Sequence, residues 1–151
     1  MKKTFTTLVL ILPLLFCGCR SEWNNPVRLT AVVDFTIYPN SIREYEINSP
    51  GGFKYYTSDP ISNSRGIIVF RVNMDTFAVW DRLPPNNPNA CCEDGECSRL
   101  VVKANFVIDQ CNEITYNILD GSIFEGEGQY PLYPYYYTYD GAALRIKSFN
   151  N

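Results

Sequence analysis

Beyond residue 27 no stretch of this chain holds a helical period. Short runs rich in Val, Ile, Tyr, Phe and Thr are each ended, within about ten residues, by Pro, Asn, Asp or Gly. That rhythm restricts the chain to an all-β fold. The runs are LTAVVDFTIY (29–38), GFKYYT (52–57), GIIVFRV (66–72), TFAVWDR (76–82), RLVVKA (99–104), FVID (106–109), ITYN (114–117), SIFE (122–125), YYYTY (135–139) and AALRIK (142–147). Asn73-Met74-Asp75, Leu119-Asp120-Gly121 and Asp140-Gly141 fall between runs and supply turn residues that tolerate φ > 0. Consecutive hairpins of about ten short strands should close as an antiparallel β-sandwich or small barrel. GIIVF is apolar at both alternating sets of positions, as expected of a central strand covered on both faces. The long irregular connections are expected at 58–65 and 84–98.

Ahead of this body lies a segment of different character. Lys2 and Lys3 precede the apolar stretch TFTTLVLILPLLF, which has the make-up of a signal peptide and is shorter than the roughly 20 apolar residues a membrane span needs. The stretch ends in Phe-Cys-Gly-Cys, with Gly18 directly before Cys19. This resembles the lipobox of bacterial lipoproteins, in which the cysteine is acylated and becomes the new N-terminus. Cys17 is the rival position, but bulky Phe16 before it suits a small-residue cleavage site poorly. The expected organisation is a signal peptide at 1–18, a lipid-anchored tether at 19–26 and a β domain at 27–151. Membrane attachment would then be through the N-terminal lipid. Arg20-Ser21-Glu22 places no aspartate directly after Cys19, which favours the outer membrane of a bacterial cell envelope.

Charge narrows the partners. With 13 basic and 16 acidic residues the net charge is −3, and loss of Lys2 and Lys3 with the leader makes it −5. Nucleic acid is not expected on such a surface. The chain has no histidine, so neither a Ser-His-Asp nor a Cys-His arrangement can form. No Gly-rich loop leads into a helix, since GEG at 126–128 lies between strands, and no carboxylate pair is marked out across a cleft. Catalysis is not expected.

Several features occur in a fixed order: Gly-Gly before a strand (SPGGFKYYT), a central apolar strand (RGIIVFRV), an aromatic strand ending in Asp-Arg (FAVWDRLPPNN), a cysteine ahead of a hairpin (DQCNEITYNILDGSIFEG), and PLYPYYYTYDGAALRI. The series resembles the Rieske-like [2Fe-2S] domain, in particular its small lipoprotein versions, over about residues 27–147. In that family the cluster sits between two loops, one carrying Cys-x-His and the other Cys-x-x-His. The resemblance lays Leu83 and Pro85 on the first pair of ligand positions and Asp109 and Asn112 on the second. A Rieske centre requires two thiolates and two imidazoles, and these positions supply neither. The resemblance therefore implies a degenerate domain without its cluster, acting as a structural or interaction module. It also places Cys111 where respiratory members carry a disulfide joining the two loops, with Cys91 and Cys92 in the partner loop.

Cys91, Cys92, Cys97 and Cys111 have three formal pairings. A bond between the neighbours Cys91 and Cys92 would be strained. That leaves one of them for Cys97 and the other for Cys111, in either order, and an exported protein meets an oxidising compartment. No cofactor is expected. The alternative is zinc or an iron-sulfur cluster on all four cysteines, giving electron transfer or metal binding, although their spacing lacks the paired knuckles of zinc sites. Glu93, Asp94, Glu96 and nearby Asp81 lack the alternating spacing of a calcium loop and read as a solvated acidic segment. In QYPLYPYYYTYDG, the alternation of a strand puts Tyr133, Tyr135, Tyr137 and Tyr139 on one face. Such a ladder could bind an envelope protein or a glycan, and the plainer reading is that its rings cover the core.

Overall fold

A computed structural model describes residues 30, 32–57 and 63–148. The leader at 1–18, the lipidation site Cys19, the tether and the first residues of the domain lie outside the described residues. Within them the chain is all-β and antiparallel, with one short helical element. In chain order the strands are β1 (Asp34–Ile37), β2 (Phe53–Tyr56), β3 (Ile67–Arg71), β4 (Phe77–Asp81), β5 (Cys92–Glu93), β6 (Glu96–Cys97), β7 (Val101–Lys103), β8 (Phe106–Asp109), β9 (Ile114–Asn117), β10 (Ile123–Glu125), β11 (Tyr136–Tyr139) and β12 (Leu144–Lys147). They form sheets of order β1-β12-β11, β2-β3-β4 and β10-β9-β8-β7, with β5-β6 as a separate two-stranded hairpin.

The sheet β2-β3-β4 lies between the other two, so both faces of β3 and β4 are buried, whereas the edge strand β2 is only partly covered. Ile67 and Val69 join Phe77, Val79, Leu144, Ile146 and Ile37 in one core cluster. Their neighbours Ile68 and Phe70 face the other way, into a cluster with Trp80, Val107, Tyr116, Ile118 and Leu132. The double apolar character of GIIVF is therefore the signature of this middle layer. Each of these side chains contributes on the order of 1.5–3 kcal/mol by leaving water. The layers form a sandwich, and the sheets do not close into a barrel.

The hairpin turns follow the expected chemistry. Asn73 accepts the Asp75 N–H on its side-chain oxygen (2.9 Å), Asp120 accepts the Ser122 N–H (3.0 Å), and Asp140 accepts the N–H groups of Ala142 (2.9 Å) and Ala143 (2.7 Å). Other elements differ from expectation. The first strand is shorter than 29–38, because it pairs with β12 only over Asp34–Ile37. Ile42–Ile47 forms a 3-10 turn that carries no apolar period, and it is pinned from below by Arg71. That guanidinium is fully buried and donates to the carbonyls of Ile47 (3.2 Å), Asn48 (3.0 Å) and Met74 (2.6 Å), and to Asn40 Oδ1 (2.8 Å). The Gly-Gly before β2 has a packing cause: a Cβ on Gly52 would stand 2.1 Å from the Glu46 carbonyl oxygen, while Gly51 takes φ +85°.

Candidate functional site: two joined loops and an acidic disulfide hairpin

The loop after β4 and the loop between β8 and β9 meet at one end of the sandwich. Two devices hold them. The Cys91–Cys111 disulfide crosses between them with Cα atoms 5.9 Å apart, and Asn112 Nδ2 donates to the Asn86 carbonyl at 2.8 Å. Asn86 in turn anchors the first loop. Its Nδ2 donates to the Tyr130 carbonyl (2.8 Å) and the Tyr116 hydroxyl (2.9 Å), and its Oδ1 accepts the N–H groups of Gln129 (2.8 Å) and Tyr130 (3.0 Å). Burial pushes the Tyr116 phenol above its usual range, which keeps it neutral and able to hydrogen-bond at this junction.

The four positions that the Rieske-like resemblance assigns to cluster ligands lie in these loops. Leu83 and Pro85 are buried and carry no side-chain donor atom for a metal. Asp109 is 1 % exposed, and its carboxylate already accepts the N–H groups of Cys111 (3.1 Å) and Asn112 (3.2 Å) and the Asn112 side-chain amide (2.7 Å). Asn112 uses that amide to join the loops. The residues present do not fit a [2Fe-2S] cluster, because these positions offer neither thiolate nor imidazole, the Asp109 carboxylate is taken up by N–H groups of its own loop, and the Asn112 amide bridges to the other.

Next to the junction, Asp81 is fully buried at the end of β4. Tyr135 Oη donates to its Oδ2 at 2.6 Å, and Oδ1 accepts the N–H groups of Leu83 (2.6 Å) and Arg65 (3.3 Å). Burial raises the Asp81 pKa, opposed by hydrogen bonds from Ser64, Tyr135 and the two amides. Tyr135 is raised as well, by burial first and then by the Asp81 charge. Asp81 is thus no part of an acidic cation loop, since its carboxylate points into the interior.

The remaining cysteines, Cys92 and Cys97, are direct cross-strand partners on β5 and β6 and form the second disulfide, with Cα atoms 4.0 Å apart. Of the two pairings that elimination leaves open, the structure adopts 91–111 with 92–97. The EDGE segment, read from sequence as irregular, turns at Asp94 (φ 50°) and Gly95 (φ 85°), the positive pair that a two-residue hairpin needs. Cys91, Cys92, Glu93, Asp94, Glu96 and Cys97 line an open groove of about 670 Å³. Arg65 approaches from the preceding connection: Nη1 donates to the Ser98 carbonyl (2.6 Å), and Nη2 lies 3.4 Å from Asn89 Oδ1 and 3.8 Å from Cys92 Sγ. Among the described residues, no three histidine, cysteine, aspartate or glutamate side chains gather as a metal ion would require.

The tyrosine run takes the plainer of its two readings, and the exposed ladder is corrected. Tyr133 and Tyr135 are 3 % and 6 % exposed, running beside β4 through the Asp81 N–H to Tyr133 O (2.9 Å) and Tyr135 N–H to Val79 O (3.0 Å) contacts. Tyr137 and Tyr139 lie edge-on to Phe77, with ring centres 6.0 Å and 5.1 Å away, and help cover the first core cluster. The face that strand alternation groups together points inward because the sheet β1-β12-β11 must close that cluster. Tyr136, on the opposite face, is exposed.

Comparison with protein-family models, with curated proteins and with solved structures finds no match. Sequence reasoning missed Asn86, Arg65 and the Asp81–Tyr135 pair. The Asn-Asn pair at 86–87 looked like one more loop residue run, and Arg65 sits 27 residues from the cysteine it faces.

Proposed function

We propose that this chain is a lipid-anchored protein of the bacterial cell envelope, held through Cys19 at the outer membrane, whose Rieske-like β domain carries no [2Fe-2S] cluster and works as a structural or interaction module for an envelope protein or glycan. The observation that supports this reading best is the closed junction of the two loops. A cluster-bearing domain would need donor atoms directed into the space between them. Here Leu83 and Pro85 fill the first loop with apolar surface, Asp109 accepts N–H groups of its own loop, and Asn112 bonds across to the Asn86 carbonyl. A disulfide performs the joining that a cluster would otherwise share. The absence of histidine from the chain supports a non-catalytic role.

The test is elemental analysis by mass spectrometry together with thiol counting on the exported, purified protein. The expected result is no stoichiometric iron or zinc and no free thiol. Stoichiometric metal, with thiols released only on chelation, would replace this reading by a four-cysteine metal site on Cys91, Cys92, Cys97 and Cys111. Metabolic labelling with a fatty-acid analogue, lost in Cys19→Ser, tests the anchor.

A further inference from the structure

The two disulfides are held in very different surroundings. How firmly a disulfide resists reduction follows the effective concentration of its two thiols once it is open, which the rest of the fold sets. Cys91 and Cys111 belong to loops that remain joined without their bond, through the Asn112 side-chain amide to the carbonyls of Asn86 and Asn87, and the buried Asp109 carboxylate braces the second of these loops from within. Cys92 and Cys97 are kept together by a ladder of two residues per strand, exposed along most of its length and separate from the three main sheets. The second pair also spans only 5 residues of chain against 20 for the first. Opening it removes little of the architecture.

Arg65 adds a direction. Its guanidinium, fixed by the Ser98 carbonyl, is 3.8 Å from Cys92 Sγ. A cation beside a sulfur stabilises the thiolate there and makes it the better leaving group. Glu93, Asp94 and Glu96 on the same hairpin oppose negative charge on either sulfur, so Arg65 decides where that charge comes to rest. Both cysteines line the open groove, which allows an external thiol to approach.

We propose that Cys92–Cys97 is a thiol–disulfide exchange site that accepts two electrons from an external dithiol, with Cys97 the sulfur attacked and Cys92 the leaving thiolate. In the first step the dithiol's thiolate forms a bond to Cys97 Sγ, the Cys92–Cys97 bond breaks, and its electron pair remains on Cys92 beside Arg65. In the second, the other sulfur of the dithiol attacks its partner in the mixed disulfide. Cys97 departs as thiolate and takes a proton from water. The dithiol leaves oxidised to its own disulfide, the protein is reduced by two electrons, and Cys91–Cys111 stays closed.

The test treats the oxidised, exported full-length protein with graded dithiothreitol, an uncharged dithiol, followed by alkylation and peptide mapping. Cys92 and Cys97 should be labelled about tenfold faster than Cys91 and Cys111, with the far-ultraviolet circular dichroism unchanged. Brief exposure to a monothiol such as 2-mercaptoethanol, with acid quenching, should leave the adduct mainly on Cys97. Arg65→Gln should slow opening about threefold and spread the adduct over both sulfurs, and Arg65→Lys should restore most of the rate. Simultaneous opening of both disulfides, earlier opening of Cys91–Cys111, or an adduct mainly on Cys92 would overturn the proposal. Should Arg65→Gln not fold, the labelling order and adduct position in the unaltered protein decide alone.

Discussion

Replacing Tyr135 by Phe removes one oxygen from the interior and leaves the ring in place, so its effect isolates the bond to Asp81. In the folded protein Tyr135 Oη donates to Asp81 Oδ2 at 2.6 Å, and the carboxylate is fully buried. A hydrogen bond to an ionised buried group is worth about 1.5–3 kcal/mol, and one between neutral groups about half that. The substitution should therefore cost about 2 kcal/mol at neutral pH, lowering the melting temperature by roughly 7 °C for a domain of this size. The cost should also depend on pH. Burial raises the folded-state pKa of Asp81 above the usual carboxylate range, so the folded state binds the proton more tightly than the unfolded chain. Stability from this group is full below the unfolded value and is lost as pH rises through the folded one. Without the Tyr135 hydroxyl the folded pKa rises further, so the variant loses more than the parent over that interval. Urea unfolding with disulfides intact, at pH 7 and again near pH 4, should show the difference between parent and variant shrinking to about 1 kcal/mol at the acid end. A difference equal at both pH values, or below about 0.5 kcal/mol at pH 7, would refute the assignment of Asp81 as a buried carboxylate held by Tyr135.

Three further outcomes can be checked by the same unfolding assay. The double variant Cys91→Ser, Cys111→Ser should lose about 3 kcal/mol and Cys92→Ser, Cys97→Ser about 2 kcal/mol, the order following the 20- and 5-residue separations they close; the reverse order would discount loop closure as their main contribution. Asn86→Ala leaves two backbone N–H groups, the Tyr130 carbonyl and the Tyr116 hydroxyl without their partner, and should cost about 3 kcal/mol, with faster hydrogen exchange confined to the loop junction. Gly52→Ala forces a Cβ against the Glu46 carbonyl and should cost about 3 kcal/mol or prevent accumulation of folded protein, whereas Gly95→Ala, with open space around it, should be milder and limited to the strain of its positive φ.

Local rules carried most of the fold. Strand propensity, the Asn, Asp and Gly turns and the apolar run of β3 depend on near neighbours, and the structure places a strand within each of the ten runs named from them. The Ile42–Ile47 turn was illegible because it has no apolar period and exists through Arg71, which reaches it from β3. The β5–β6 hairpin was hidden because its strands are two residues long and its Asp94-Gly95 turn sits among acids that suggest an open loop.

What the sequence determined by itself is what near neighbours and composition can set: an all-β chain, a middle strand buried on both faces, a net acidic surface, no imidazole, and four body cysteines without a bond between adjacent ones. What only the tertiary structure decided depends on contacts between distant segments. Those contacts chose 91–111 with 92–97 over the other pairing. They turned the tyrosine face toward the core, because the outer sheet has to close over Phe77 and Val79, and they took Asp81 inward to Tyr135. They also brought Arg65 within 3.8 Å of Cys92. Alternation along a strand says which residues share a face, and only the packing of the layers says which way that face looks.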